Sequence, residues 1–344
     1  MLVQIFPKNR IMLQFPGANL HLDPKFFNSK EDRFFISHAH YDHLPIRGKK
    51  PPFVPKVVCS NATAKLFNKR IGYEITPLEA FETEQFSLKA IPSGHTFDST
   101  VAEIKLKENG LKVLYTGDIN VEDRAYLQGF RPKKCDILLL EATWGHKEYS
   151  FPPFEEQVEQ ATNYIQTQLD HNHPVILLGY AIGKAQLLNY CFGQLTDLRF
   201  SSKIVWEMEQ IHKELGLSLY PTKKLPTVID DLPKTSPWLL FQAPSPYNSN
   251  FIQKLKKKTN CRVVGFSGWA KDLESFKHRS GADAAFMISD HSDYNKLLEL
   301  AKACSPEKIF TIFGNAKKLA KDLQKEGLNA LPLSSGQSTL ENYL

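Results

Sequence analysis

Three histidines and one aspartate lie close together near the N-terminus, in a spacing suited to metal binding. Residues 34–45 read FFISHAHYDHLP and contain His38, His40, Asp42 and His43 in an H-x-H-x-D-H pattern. Imidazole and carboxylate groups together form the donor mix that suits zinc, and manganese or iron less well. These could instead be polar loop residues, or histidines satisfied by ordinary hydrogen bonds.

The short apolar segment before this cluster, residues 33–37, predicts a buried strand that delivers the four residues on the loop at its end. Residues two apart in an extended loop point the same way, so His38 and His40 are expected to face one metal. Asp42 and His43, at the turn that follows, can face a second. Two pairs of ligands do not close two metal sites, so further ligands must come from elsewhere in the chain.

Two later strand ends can supply those ligands. Residues 86–91 predict a strand, and the PSGH that follows places His95 at its end. Residues 111–115 predict another strand, which ends in YTGD, where the carboxylate of Asp118 can bridge two cations. The expected ligands are His38, His40, His95 and Asp118 for the first metal, and Asp42, His43 and Asp118 for the second.

The rest of the chain alternates strand and helix patterns. Asp23, about fifteen residues before the cluster, is a candidate carboxylate for orienting a ligand imidazole, and His21 is expected to be a surface or packing residue. The prolines in residues 197–244 predict short strands and turns around a small subdomain. Strands are predicted at residues 2–6, 11–15, 101–106, 136–140, 174–179 and 308–313, and helices at 62–69, 154–170, 294–303 and 316–326.

A second chemical signal lies in GYAIGKAQ, where Gly183 and Lys184 open a predicted helix, KAQLLNYCF. A glycine loop at a helix N-terminus is a natural anion site, because free backbone amides and the helix dipole point the same way. A nucleotide-binding P-loop is not expected. The glycine spacing is one residue short, and Ala185 replaces the hydroxyl that would hold magnesium.

The positive charge is concentrated in one region, which we call the basic stripe. The net charge is +6, and residues 245–279 contain eight basic residues against Asp272 and Glu274, while the rest of the chain is balanced. Such a region on a neutral protein indicates a polyanionic partner, although a solvated lysine-rich helix face gives the same pattern. The basic residues are Lys254, Lys256, Lys257, Lys258, Arg262, Lys271, Lys277 and Arg279.

Composition sets the broad class. The chain has 344 residues, of which 42% are hydrophobic and 23% charged, enough for two domains or one domain with a large insertion. No apolar run is long enough for a membrane span, and the first residues lack the order of a signal peptide, so we expect a cytoplasmic protein. The five cysteines are odd in number and widely spaced, which fits reduced, mostly buried thiols.

Taken together, these motifs resemble the β-CASP nucleases of the metallo-β-lactamase superfamily. The matching stretches are H-x-H-x-D-H, CDILLLEATWG, GYAIGKAQ, GFSGWA and ISDHSDY, and they span nearly the whole chain. They are most similar to the DNA-ligase-associated exonuclease and RNA 3′-end-processing group. The resemblance implies an α/β fold, an αββα sandwich interrupted by a β-CASP cap domain. Residues 1–165 and 280–344 would form the sandwich, and residues 166–279 the insertion.

By the same resemblance, the two ligand sets given above match the family's two metal sites. Glu141 matches the acidic residue of motif A, and His291 the histidine of motif B. Motif C departs from the family pattern, because Phe313 stands where a ligand histidine is usual. The second site should therefore be weaker, or filled by manganese or magnesium. Artemis-like DNA cross-link-repair nucleases also lack this histidine, which favours DNA over RNA as the substrate.

The sequence thus predicts a metal-dependent nuclease, with a DNA exonuclease ahead of an RNA-processing exo- or endoribonuclease. Asp118 would bridge two zinc ions that activate a water, and the Glu141/His291 pair would donate a proton to the leaving oxygen. The phosphate backbone of a single strand or a strand end would contact Gly183, Lys184, Ser267 and the basic stripe. Trp144, Tyr180 and Trp269 are candidates for base stacking. A small-ester or thioester hydrolase and an inactive nucleic-acid-binding subunit are the competing hypotheses.

Overall fold

The structure, a computed structural model, describes residues 2–6, 10–15, 18–46, 48–244, 248–272, 274, 276 and 280–333. The chain forms two compact units. The first contains Met1–Asp123, Leu127–Ser150 and His291–Leu344, and the second contains Arg124–Tyr126 and Phe151–Asp290. The insertion predicted at residues 166–279 lies within the second unit, which extends further in both directions.

The secondary structure elements are numbered in chain order. The strands are β1 (Leu2–Phe6), β2 (Arg10–Phe15), β3 (Ala18–Leu22), β4 (Arg33–Phe35), β5 (Lys56–Val58), β6 (Thr76–Leu78), β7 (Ala80–Glu82), β8 (Phe86–Pro92), β9 (Thr100–Leu106), β10 (Lys112–Tyr115), β11 (Ile137–Glu141), β12 (Val175–Leu178), β13 (Arg199–Ser201), β14 (Lys223–Lys224), β15 (Leu239–Gln242), β16 (Arg262–Phe266), β17 (Ala284–Phe286), β18 (Lys308–Ile312) and β19 (Ala330–Pro332). The helices are α1 (Asn61–Ile71), α2 (Phe154–Asp170), α3 (Lys184–Phe192), α4 (Lys203–Glu214), α5 (Asn248–Thr259), α6 (Tyr294–Cys304) and α7 (Ala316–Lys325).

Two sheets form the centre of the first unit. One has the order β1-β2-β3-β4-β5-β6, antiparallel as far as β3 and parallel from β3 to β6. The other has the order β19-β18-β11-β10-β9-β8-β7. In this second sheet, β10, β11, β18 and β19 run parallel, and β7 to β10 are antiparallel.

The main core of the first unit contains apolar residues from both sheets. In β9, alternate residues such as Ala102 and Ile104 join one cluster with Leu13, Leu22 and Phe35 of the other sheet. Successive side chains of a strand point to opposite faces of the sheet, so the apolar side chains on one face of β9 all point into this layer. The two sheets therefore pack against each other through an apolar interface, as the predicted sandwich requires.

Helices cover the remaining faces of the two sheets. Phe67 of α1 packs with Phe34 and Val57 on the first sheet. On the second sheet, Leu138 and Leu140 pack with residues of α6 and α7, including Leu323. These helices bury residues three and four positions apart, which is the spacing of one helix face. The resulting helix-sheet-sheet-helix order confirms the predicted αββα sandwich.

The second unit has one parallel sheet, in the order β14-β13-β15-β12-β16-β17. Ile176, Leu240 and Val263 of its central strands pack against Ile252 and Leu255 of α5. The central strands are apolar throughout, as expected for parallel strands that are covered on both faces.

The short strands predicted at residues 197–244 are present as β13, β14 and β15, but the prediction missed helix α4. The segment contains the twelve-residue helix α4 and the four-residue strand β15, which lies inside the parallel sheet of the second unit. The prolines begin only at Pro221, so nothing interrupts the earlier helix. Its buried face includes Val205, Met208 and His212, at spacings of three and four residues.

All five cysteines are free, and four of them are buried, which confirms that most of these thiols are buried. Within the part of the chain that the structure describes, no helix has both the length and the apolar character that a bilayer span needs.

Candidate metal centre

The candidate site is built at one end of the sandwich in the first unit. Strands β10, β11 and β18 are parallel neighbours, so their carboxyl ends meet at one sheet edge. Asp118 follows β10, Glu141 ends β11 and Phe313 follows β18. The backbone N–H of Thr100 donates to the carbonyl of Ser37 at 2.7 Å, which joins the other sheet to this end.

Gly117 allows the two sheets to approach each other closely beside the site. Its φ is +53°, and a Cβ atom placed on it would lie 2.5 Å from Cβ of Ser37. Any other residue would be strained here and would collide with the loop that carries His38. The glycine therefore determines how closely Asp118 can approach that loop.

Four side chains bring their donor atoms together in the first group. Their ligand atoms all lie within 4.8 Å of one another. Nδ1 of His40 is 3.0 Å from Nε2 of His38 and 3.3 Å from Nε2 of His95. Oδ2 of Asp118 is 3.5 Å from Nε2 of His38 and 3.7 Å from Nε2 of His95. A tetrahedral ion bound at about 2.0–2.1 Å spaces its ligands roughly 3.3 Å apart, so this donor set fits one ion.

A second, smaller group uses the other oxygen of Asp118. Nε2 of His43 lies 3.3 Å from Oδ1 of Asp118 and 3.4 Å from Oδ2 of Asp42. Phe313 places its ring edge-to-face with that of His43, with 5.7 Å between centroids. Phenylalanine offers no lone pair, so this group has three donors. The two oxygens of Asp118 thus face different groups, which is the arrangement of a bridging carboxylate.

The charges of the cluster favour cation binding. Burial lowers the pKa of His38 well below its ordinary value, and the neighbouring histidines lower it further, so its imidazole is neutral and can act as a ligand. Burial raises the pKa of Asp118, but His43 and His291 outweigh this effect and hold it well below its usual range. The site therefore presents an ionised carboxylate among imidazoles.

Asp23 lies behind the cluster and is fully buried. It accepts hydrogen bonds from Nδ1 of His43 at 2.6 Å, from the hydroxyl of Tyr115 at 2.6 Å and from the hydroxyl of Ser37 at 2.7 Å. The bond from Nδ1 leaves Nε2 of His43 to face Asp118. The prediction that Asp23 contacts an imidazole of the cluster is confirmed. His21, by contrast, is buried, bonds to Asp32 and stacks on Phe34, so it is a packing residue.

Sequence reasoning missed two side chains that hold the loop of residues 38–43, which carries four of the candidate ligands and is called the metal loop below. Asp98 is buried and accepts from the backbone N–H of Ala39 at 3.0 Å and from the hydroxyl of Thr63 at 3.0 Å. Arg70 donates to the carbonyl of Ala39 at 2.9 Å. Both anchor the residue between His38 and His40. The only sequence signal for Asp98 was its position three residues after His95.

Glu141 and His291 form a close pair at the edge of the cluster. Nδ1 of His291 lies 2.8 Å from Oε1 of Glu141, and its Nε2 lies 3.8 Å from Oδ2 of Asp118. Glu141 is fully buried and also accepts from the backbone N–H groups of Ile119 and Thr143. These bonds fix the carboxylate, so Nε2 of His291 faces the cluster. The donor atoms of Asp118, Glu141 and His291 also lie within 4.8 Å of one another.

The residues predicted to contact substrate lie in the second unit, in settings that differ from the expected one. Lys184 is buried, and its Nζ donates to the carbonyl of Ile288 at 2.6 Å and pairs with Asp290 at 2.9 Å. The backbone N–H of Gly183 donates to the side chain of Gln186. Ser267 accepts from the backbone N–H of Trp269 and caps a short 3-10 helix. These contacts give Lys184 a structural partner and do not support a free anion site at this helix start.

The basic stripe is partly neutralised by carboxylates outside it. Lys256 pairs with Asp283 at 2.8 Å, and Lys258 with Asp230 at 2.7 Å. Lys277 and Arg279 lie outside the described residues. Of the three aromatic candidates for stacking, Trp144 is buried, whereas Tyr180 and Trp269 are exposed.

Several known proteins whose names describe nucleic-acid enzymes are similar to this chain. A probable DNA ligase from Opitutus terrae is 28% identical over 330 residues, which cover 92% of this chain and 30% of the relative. An RNase J-like protein from Methanocaldococcus jannaschii is 25% identical over 85% of this chain and 83% of its own length. The DNA cross-link repair 1A protein of Mus musculus is 25% identical over 50% of this chain and 17% of its own. No family model matches the chain.

A solved structure shares the fold. A protein of unknown function from Enterococcus faecalis V583 superposes with a TM-score of 0.64 at 13% sequence identity, and the match covers 98% of each chain. The chain thus corresponds to under a third of the ligase relative and to most of the RNase J-like relative.

Proposed function

We propose that the chain belongs with the β-CASP nucleases of the metallo-β-lactamase superfamily and is a metal-dependent nuclease that hydrolyses phosphodiester bonds of nucleic acid, as the names of its relatives support. The observation that carries this proposal is the shared carboxylate of Asp118. One oxygen faces the donors His38 and His95, and the other faces His43. Two adjacent cations suit in-line displacement at phosphorus.

We infer zinc for the first group, because three imidazoles and one carboxylate are a borderline donor set with tetrahedral spacing. The second group has two carboxylates and one imidazole, which favours weaker zinc binding or manganese or magnesium. When bound, such ions lower the pKa of water to about 7 and offset the negative charge that develops on the phosphate.

The protein's own residues would orient the reaction and move the proton. Asp118 and the five other ligands hold the reacting centre, and Asp23 and Ser37 fix the ring orientations behind it. The water would release a proton to solvent and its oxygen would bond to phosphorus as the ester P–O bond breaks, and the departing oxygen would take a proton from Nε2 of His291. Glu141 holds Nδ1 of that imidazole at 2.8 Å. Backbone N–H groups donate to both oxygens of Glu141 and hold its carboxylate in place, which supports this orienting role.

DNA is the proposed first substrate. The ligase and cross-link-repair relatives act on DNA by their names, and Phe313 occupies the position where a ligand histidine is usual in the family. RNA is the second candidate, because the RNase J-like protein matches over most of its own length. We propose an exonuclease that acts on single strands or strand ends, with the basic residues of the second unit contacting phosphates.

The test is degradation of matched single-stranded DNA and RNA, labelled at either end, by purified protein with zinc or manganese. We expect DNA to be cut, and His38→Ala and His291→Ala each to reduce cutting by at least about a hundredfold. His171→Ala, a change at the exposed histidine that follows the last residue of α2, is the matched control and should keep wild-type activity. Metal content separates the two losses, because only His38→Ala should lower it.

Hydrolysis of a thioester or ester without cutting of either polymer would instead support a small-molecule hydrolase. Binding of strands without cutting under every divalent ion would support an inactive nucleic-acid-binding subunit. Either result would contradict the proposal.

A further inference from the structure

An aromatic ring is exposed in the middle of the metal loop. Tyr41 begins the 3-10 helix Tyr41–His43 and lies between His40 and Asp42. His38 and His43 are buried, yet 47% of Tyr41 is accessible to solvent. Among the side chains of the first unit whose exposure the structure describes, which leaves out those of β1, no other aromatic ring is exposed. Its two sequence neighbours are candidate ligands, so the ring is carried by the same short segment as those ligands.

The ring is held in place from one side. The guanidinium of Arg70, in the last turn of α1, lies over it with 4.1 Å between Cζ and the ring centroid. The same guanidinium donates to the carbonyl of Ala39 at 2.9 Å, so it is anchored to the metal loop itself. A cation over an aromatic face is a favourable contact that restricts the ring's motion. Tyr41 is therefore an exposed ring in a fixed orientation.

A fixed, exposed ring on the segment that carries candidate ligands of the proposed nuclease suits one chemical partner, an unpaired nucleobase. Bases have apolar faces that stack on aromatic rings without sequence preference, whereas a duplex keeps these faces covered. We propose that Tyr41 is the stacking platform for the base adjacent to the scissile phosphate, so that the site selects unpaired nucleotides. This inference rests on the proposed nuclease function and adds a substrate-binding residue to it.

The test compares an intact single strand with the same strand carrying abasic residues on both sides of the cut position. For Tyr41→Ala we expect kcat/KM to fall about tenfold on the intact strand and to change little on the abasic strand. Tyr41→Phe should behave as wild type on both strands. Metal content should be unchanged in both variants.

Tyr220→Ala is the matched control. Tyr220 is also exposed, with Arg199 over its ring at 5.5 Å, but it lies in the second unit with no candidate ligand next to it in sequence. This variant should keep the wild-type kcat/KM on both strands.

Equal losses on the intact and abasic strands would overturn the proposal, because Tyr41 would then act only through its neighbouring ligands. An unchanged kcat/KM on the intact strand would also overturn it.

A binding measurement tests the stacking contact without depending on catalysis. The fluorescence of a 2-aminopurine base at the end of a single strand should be quenched when the strand binds the wild-type protein. The quenching should be much smaller with Tyr41→Ala. If wild type cuts no strand, the nuclease proposal fails, and equal quenching by both proteins would still reject the stacking platform.

Discussion

Asp23 accepts a hydrogen bond from Nδ1 of His43 at 2.6 Å, and this bond directs Nε2 of the same ring at Asp118. The carboxylate is fully buried and also accepts from Tyr115 and Ser37. A backbone φ of +48° at Asp23 accompanies this packing. The residue thus connects the interior of the sandwich with the second group of candidate metal donors.

We predict that Asp23→Asn weakens metal binding at the second group by about 10–100-fold, because His43 loses the partner that orients it. Competition of the protein with a chelator of known affinity measures this change. Asp32→Asn is the matched control, since Asp32 also bonds a buried histidine, His21, that does not belong to the cluster. Equal losses of metal affinity in the two variants would contradict the assigned role of Asp23.

Metal binding at the second group should depend on pH in the neutral to alkaline range. Burial lowers the pKa of His43, but the charges of Asp118 and Asp23 outweigh it and raise the pKa well above its ordinary value. Below that raised pKa, a cation must displace a proton from the ring. The apparent affinity should therefore fall about tenfold for each unit of decrease in pH.

Calorimetric titration with Mn²⁺ in two buffers of different ionisation enthalpy counts the protons released. About one proton per ion is expected near neutral pH for the wild-type protein. Asp23→Asn has one fewer carboxylate beside the ring, which should lower the pKa of His43. In this variant, proton release on Mn²⁺ binding should therefore disappear at a lower pH than in the wild-type protein. Binding without proton release at neutral pH would show that His43 is already neutral.

Gly117→Ala should destabilise the fold and disturb the cluster. The new Cβ atom would lie 2.5 Å from Cβ of Ser37, on a backbone with φ of +53°. Gly110→Ala is the control, since Gly110 also has a positive φ of +75° but nothing lies within 4 Å of its added Cβ. We expect Gly117→Ala to cost about 1–3 kcal/mol more in urea unfolding than Gly110→Ala. Equal costs would show that the sheets can separate freely at this point.

Lys184→Met tests whether this lysine is structural or binds phosphate. Removing the ammonium leaves Asp290 buried with Arg124 as its remaining cation, 3.6 Å away. We expect a loss of about 3 kcal/mol in the free energy of unfolding, with an unchanged salt dependence of DNA binding. Lys257→Met, at an exposed position of α5, should stay within about 0.5 kcal/mol of wild type. A stable Lys184→Met protein with a shallower salt dependence would instead indicate a phosphate contact.

Local patterns in the chain were sufficient to predict much of this protein. The run H-x-H-x-D-H places four donors on one loop. His95 and Asp118 could be predicted as further donors because each follows the end of a predicted strand, and strand patterns depend only on neighbouring residues. The αββα sandwich followed from the family resemblance of the motifs. The boundaries of α2 and α3 agree with the prediction for the same reason, since amphipathic spacing and the glycine before α3 are local signals.

Tertiary structure alone decided the contacts between residues far apart in the sequence. The packing of strands and loops decides which oxygen of Asp118 faces His43. It also decides that Asp98 accepts a hydrogen bond from Ala39 and that Lys184 pairs with Asp290. Sequence spacing shows which residues share one face of one element. It does not contain the sheet register or the distance between layers, and these determine which buried polar groups meet.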